Sequence, residues 1–132
     1  MRRILFVDRD GTLINEVPPT YQIDSFDKLT FYPGALEYMG RIARELDFEL
    51  VMPTNQDGLG ADAFPENTFW PVQQFIVKTF AGEGVQFADV LIDRSFPHEG
   101  LPTRKPGLGL FGKFLGSADY DLKQSYVIGD RI

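Results

Sequence analysis

Apolar runs of strand length alternate with helix-length segments along this chain. Ile4-Leu5-Phe6-Val7 opens the series, and the runs 49–52, 90–92 and 126–128 continue it. Between the first two, Leu36, Met39, Ile42, Ala43 and Leu46 recur at helical spacing, which predicts a helix over 34–46 with Pro33 as its start signal. A second helix is predicted over 68–81, with Phe69, Val72, Phe75, Ile76 and Phe80 on one face and Gly82 near its end. A shorter third is predicted over 108–115. Strands that alternate with helices imply βαβ units, so the expected class is α/β with a mostly parallel sheet flanked by helices. Residues 15–33 break the alternation: Pro18, Pro19, Tyr21, Asp24 and Asp27 predict a long loop or small flap. No repeat or linker divides the chain, and 1–132 is read as a single domain.

Composition narrows the class without changing it. The 132 residues are 43% apolar and 14% aromatic, enough for a globular core. A net charge of −6 argues against a nucleic-acid surface. With 0 cysteines, disulfides and thiolate zinc sites are excluded. Met1-Arg2-Arg3 leads into only a short apolar run, with no signal-peptide pattern and no segment of membrane-spanning length. A cytoplasmic protein with no membrane partner is expected.

The candidate chemistry begins where the first strand ends, at Asp8-Arg9-Asp10-Gly11-Thr12. Two carboxylates two residues apart, followed by a glycine that permits a sharp turn, can hold a divalent metal and a phosphate together. A phosphate ester repels an attacking carboxylate unless a hard cation such as Mg2+ bridges the two. Asp8, at the end of a rigid strand, is the better candidate nucleophile, and Asp10 can protonate the leaving oxygen and then activate water. Gly11 and Thr12 offer backbone N–H groups to an oxyanion. The plain alternative is an acidic turn; a calcium loop fits less well, because the flank is strand-like and its third ligand position falls on Thr12.

Three more clusters follow the later apolar runs. Thr54-Asn55-Gln56-Asp57-Gly58 offers a hydroxyl and an amide to phosphoryl oxygens, Arg104-Lys105-Pro106 offers a cation, and Gly129-Asp130-Arg131 offers another carboxylate for the metal. Each alone reads equally as a polar turn or a solvated pair. Parallel strands would bring all four clusters to one edge of the sheet.

In the order DRDGT, TNQ, RKP, GD, the sequence resembles the haloacid dehalogenase superfamily of aspartate-nucleophile phosphatases over essentially its whole length. The resemblance implies a Rossmann-like fold, with Asp8 as nucleophile and metal ligand, and Asp10 as general acid/base and carbonyl metal ligand. It further implies Thr54 and Asn55 as phosphoryl or substrate contacts, Lys105 as the charge-stabilising lysine beside Arg104, and Asp130 as a metal ligand. Leu13-Ile14-Asn15-Glu16, Phe26-Asp27-Lys28-Leu29, Asp57-Gly58-Leu59-Gly60, Phe64-Pro65, Gly84-Val85-Gln86-Phe87 and Tyr126-Val127-Ile128-Gly129-Asp130-Arg131 are similar to the histidinol-phosphatase domain of bifunctional histidine-biosynthesis enzymes. Its implied substrate is L-histidinol phosphate, a small phosphate ester; a heptose bisphosphate is the alternative substrate, and an inactive fragment or phosphate-binding domain the alternative role. Histidinol phosphate carries an ammonium and an imidazole, so Glu16, Asp24 and Asp57 are candidate substrate contacts.

Four features depart from that family. The stretch 93–103 holds His98 but no cysteine, so the zinc loop common in the family is not expected here. Pro53 stands where a branched apolar residue is usual and predicts distortion beside Thr54. Ala61 also differs. The sequence ends two residues past Asp130, where the family continues with a helix and strand, so a domain truncated at its C-terminus is expected, with a fused dehydratase in a longer natural chain.

Overall fold

The computed structural model describes residues 2–101, 111, 112, 114, 115 and 117–129. Its element order is β1 (Ile4–Val7), α1 (Ala35–Glu45), β2 (Glu49–Asn55), α2 (Glu66–Gly82), β3 (Phe87–Asp93) and β4 (Tyr126–Ile128). The four strands are all parallel, in the order β3-β2-β1-β4. Parallel neighbours need crossovers, which α1 and α2 supply between β1, β2 and β3. The α/β expectation therefore holds.

Every residue of β1 is buried, because the sheet is covered on both faces. Leu5 and Val7 point toward a core shared with Met39 of α1, Leu50 and Met52 of β2, and Val72, Ile76 and Phe80 of α2. Ile4 and Phe6 point the other way, against Val51 and Phe114, with Phe111 and Tyr120 alongside. The period-2 alternation of strand side chains thus divides one apolar run between two cores.

Several elements depart from the sequence reading. Strand β2 runs on through Pro53 to Asn55, and β3 begins at Phe87 rather than 90. The predicted distortion beside Thr54 is absent: Met52, Pro53 and Thr54 pair in step with Val90, Leu91 and Ile92, and the register shift falls at Leu50/Val51. Pairing of β2 with β1 covers only Glu49, Leu50 and Val51, so Pro53 lies beyond that ladder. In α2 the buried positions are Phe69, Val72, Gln73, Ile76 and Phe80, so Gln73 occupies the inner face where Phe75 was expected. Phe75 is exposed and packs edge-on against Phe26, ring centroids 5.6 Å apart. Of the predicted helix 108–115, residues 108–110 and 113 lie outside the described set; Phe114 and Leu115 close a turn onto the Phe111 carbonyl.

Helix α2 also starts two residues earlier than its periodicity suggests, which puts Pro71 in its second turn. There the missing N–H removes a helical hydrogen bond and the ring crowds the carbonyl four residues back. Because Pro71 is exposed, Pro71→Ala is expected to stabilise the protein by about 1–2 kcal/mol, net of the extra chain entropy alanine gives the unfolded state. Urea unfolding of both proteins checks this, and an unchanged midpoint would contradict it.

Residues 15–33 form a flap rather than an open loop. Ile14 bridges Phe31 antiparallel, Asn15 N–H donates to Thr30 O and Tyr32 N–H to Leu13 O, each at 2.9 Å, and a 3-10 turn spans Phe26–Lys28. Ile14 and Ile23 are wholly buried and pin the flap to the core. No described helix is long and apolar enough to cross a membrane.

Candidate active site

The carboxyl ends of the parallel strands bring the polar clusters together, as that topology requires. Asp8 follows β1 directly, and its N–H donates to Ile128 O at the end of β4 at 2.9 Å. Its carboxylate Oδ1 accepts from the Arg9 N–H at 2.9 Å, which fixes the side chain over the turn. Gly11 then adopts φ 81°, the left-handed region, so the chain reverses and the N–H groups of Leu13 and Ile14 both donate to Arg9 O. Thr12 Oγ1 is buried in this turn without a hydrogen-bond partner among the described residues.

On the neighbouring strand, Thr54 is buried and Asn55 half-buried, and they stand in register with Ile92 and Asp93 of β3. Both are strand residues, not the loop residues the sequence suggested. Gln56 N–H and Gly58 N–H continue the ladder to Asp93 O and Arg94 O at 2.7 and 2.8 Å. The Asp57-Gly58 turn is closed by Phe96, whose Cζ would stand 2.5 Å from a Cβ at residue 58; with φ 73°, that position requires glycine.

Asp10 lies within a network that the sequence did not announce. Its Oδ1 accepts from Arg9 Nε at 2.8 Å and its Oδ2 from Gln56 Nε2 at 3.1 Å. Gln56 Nε2 also donates to Thr54 Oγ1 at 2.9 Å, and Arg9 Nη1 to Gln73 Oε1 at 2.9 Å. The cluster of Asp10, Thr54, Gln56, Arg9 and Gln73 thus ties the acidic turn to β2 and α2. The sequence alone assigns Arg9 no role. Its signal is its place two residues past a fully buried strand; for Gln73 it is an amide within an apolar helical stripe.

The candidate substrate acids differ. Glu16 leaves the flap and Asp57 leaves β2, both half-buried in loops at this edge. Asp24 lies within the flap and is paired with Lys28 at 2.7 Å. Lys105, Arg104 and Asp130 lie outside the described residues. His98 stacks on Phe96 at 5.6 Å, and among the described residues no group of three or more His, Cys, Asp or Glu is placed to hold a metal. Asp8 and Asp10 offer only hard oxygen donors, the type Mg2+ prefers, and Thr12 Oγ1 adds an unengaged hydroxyl beside them.

At the start of α2, Glu66 accepts hydrogen bonds from Arg94 Nη2 at 2.7 Å and Trp70 Nε1 at 3.4 Å. The Arg94 hydrogen bond, then that of Trp70 and the Arg94 charge, hold its carboxyl below the ordinary value of 4.5. A lowered folded value makes the ionised pair stabilising above about pH 4.5, and that contribution fades as pH falls through the folded value. Because the pair is exposed, the effect is small. Glu66→Gln is expected to unfold slightly earlier than the parent at pH 7 and together with it at pH 3; a gap that persists at pH 3 would mean the ion pair is not its source.

No family model matches the chain. It is 54% identical over 130 residues to the histidine biosynthesis bifunctional protein HisB of Bacteroides fragilis, covering 98% of this chain and 35% of that protein. The HisB protein of Spirosoma linguale is also 54% identical over 132 residues, with 34% of it covered, and that of Stenotrophomonas maltophilia is 43% identical, with 36% covered. The chain spans about a third of the length of the curated relatives it matches. Among solved structures, a D,D-heptose 1,7-bisphosphate phosphatase from B. bronchiseptica complexed with magnesium and phosphate superposes with a TM-score of 0.82 at 26% identity, over 98% of this chain and 70% of that one. A HAD-like phosphatase described as putative, from Mesorhizobium loti, follows with a TM-score of 0.79 at 25% identity, over 98% and 64%.

A parallel sheet carrying Asp8 and Asp10 at the carboxyl end of its first strand is the architecture that this chain shares with HAD-like phosphatases among the solved structures. Within it, the sequence matches the histidine biosynthesis bifunctional proteins more strongly than the heptose-bisphosphate enzyme.

Proposed function

We infer that residues 1–132 act as one phosphatase domain that hydrolyses L-histidinol phosphate with Mg2+. The observation that carries this reading is the placement of Asp8 and Asp10 at the end of β1 beside Thr54 and Asn55 of β2, in a sequence 54% identical to proteins named for histidine biosynthesis.

In this mechanism an Asp8 carboxylate oxygen attacks phosphorus in line and the bond from phosphorus to the ester oxygen breaks. The protonated Asp10 carboxyl gives its proton to the leaving alcohol. The resulting Asp10 carboxylate then takes a proton from water, whose oxygen attacks the aspartyl-phosphate at phosphorus, releasing inorganic phosphate and restoring Asp8. Asp8, the Asp10 carbonyl and Asp130 would hold Mg2+, which would supply positive charge to offset that of the attacking carboxylate and the phosphoryl group. Thr54 and Asn55 orient the phosphoryl group, Lys105 offsets its charge, and Arg104 adds a second cation. Glu16 and Asp57 meet the ammonium and imidazole of the substrate. With this reading go a cytoplasmic location and a fused dehydratase domain in a longer natural chain.

The deciding experiment is phosphate release from L-histidinol phosphate with Mg2+, set against D,D-heptose 1,7-bisphosphate. Selective hydrolysis of histidinol phosphate supports the reading. Preference for the heptose bisphosphate would favour the second reading, which rests on the 0.82 TM-score to that phosphatase. No release from a folded, Mg2+-saturated chain would leave a phosphate-binding role.

A further inference from the structure

Arg9 is wholly buried, 0% exposed, and a buried guanidinium is tolerated only where its donors and charge are met. Its three nitrogens have distinct tasks. Nε donates to Asp10 Oδ1 at 2.8 Å, Nη1 donates to Gln73 Oε1 at 2.9 Å, and Nη2 makes a long contact of 3.5 Å with Gln56 Oε1. The Phe69 ring lies 5.3 Å from the guanidinium carbon. Gln73 is anchored in turn, with Nε2 3.5 Å from Met52 Sδ. The Asp10 carboxylate is therefore gripped at both oxygens, from α2 through Arg9 and Gln73, and from β2 through Gln56.

We propose that Arg9, locked by Gln73, is a positioning residue that sets the orientation of the Asp10 carboxyl for its proton transfers. This rests on Asp10 being the general acid/base of the phosphatase reading. A simple ion pair would need only the charge of Arg9. Gln73 adds no charge; its acceptor fixes the plane of the guanidinium, and only a planar fork can hold Asp10 with one nitrogen while being held by another. A leucine at 73 would fill the same apolar stripe without needing a partner, so the amide has a task that burial alone does not explain. Gln73 and the guanidinium are both shut off from solvent, out of reach of a substrate entering from it, so loosening the lock should alter turnover more than binding.

The test compares Gln73→Leu, Gln73→Glu and Arg9→Lys with the parent chain in Mg2+-dependent hydrolysis of L-histidinol phosphate, with thermal unfolding and the NMR signal of the Arg9 Nε–H read alongside. Gln73→Leu is expected to lower kcat about 10- to 100-fold, with KM within about twofold. Gln73→Glu keeps an acceptor for Nη1 and should recover kcat to within about threefold of the parent, whereas Arg9→Lys keeps the charge, lacks the fork, and should not. A folded Gln73→Leu protein with parental kcat, or equal losses in the leucine and glutamate variants, overturns the proposal. The NMR arm does not depend on turnover: the Arg9 Nε–H signal should move in Gln73→Leu, and an unmoved signal overturns the lock even in an active enzyme. A parent chain that releases no phosphate while that signal moves overturns instead the phosphatase reading, and with it the catalytic role given to the lock.

Discussion

Asp8→Asn is expected to reduce phosphate release from L-histidinol phosphate about 10^4-fold or more while leaving the fold intact. The substitution removes the anionic nucleophile and one charged donor of the metal site but changes almost no volume. The Arg9 N–H now bound to Asp8 Oδ1 at 2.9 Å can donate to the amide oxygen instead, and the bond from Asp8 N–H to Ile128 O involves only backbone. Loss of activity should therefore come with a nearly parental unfolding temperature. That pairing gives the result its meaning, since a loss caused by unfolding would appear in both measurements. Retention of more than about a tenth of the parental rate would show that phosphorus is attacked by something other than this carboxylate. Adding Mg2+ well above the parental requirement separates the two functions of Asp8: a weakened metal site is filled by mass action, whereas a missing nucleophile is not restored.

What the sequence revealed followed from how much each pattern depended on its surroundings. The strand Ile4–Val7 was legible because four successive apolar residues need cover on both faces, and α1 because its stripe has the helical period. The end of β2 was not, because Pro53 and the polar pair Thr54 and Asn55 read as a turn; β3 holds them in an extended ladder instead. Helical spacing with Val72 and Ile76 assigns Phe75 to the inner face, yet it lies at the edge of that stripe, and the flap residue Phe26 gives it a partner on the outer face. The acidic motif was legible residue by residue, whereas its support was not. Arg9, Gln56 and Gln73 are distant in sequence from one another, and only the packing of α2 on β2 shows that they converge on Asp10.

The strand that carries Asp8 depends most on one side chain. Phe6 is 6% exposed and meets Phe111 and Phe114 edge-on, with ring centroids 4.9 and 5.5 Å apart, while Phe114 meets Tyr120 at 4.9 Å. This aromatic group, with Ile4 and Val51, is the core on the sheet face opposite α1 and α2. Phe6→Ala removes the ring at its centre and leaves a cavity that a sheet paired on both sides of β1 cannot close. The expected cost is about 3–5 kcal/mol. Against a typical total of about 5–15 kcal/mol, that is a large share of the stability. Thermal unfolding followed by circular dichroism should show the midpoint lowered by roughly 10–20 °C, on the scale of a few degrees per kcal/mol for a domain of this size. Phe6→Leu, which retains most of the volume, should cost far less. The same pair tests how the site is held. Phe6 pairs with Val51 and Val127 through backbone while its ring faces away from the core shared with α2, so whatever Phe6→Ala protein remains folded should keep the parental kcat. A cost below about 1 kcal/mol would mean that the second face of the sheet is too loosely packed to brace the strand bearing Asp8.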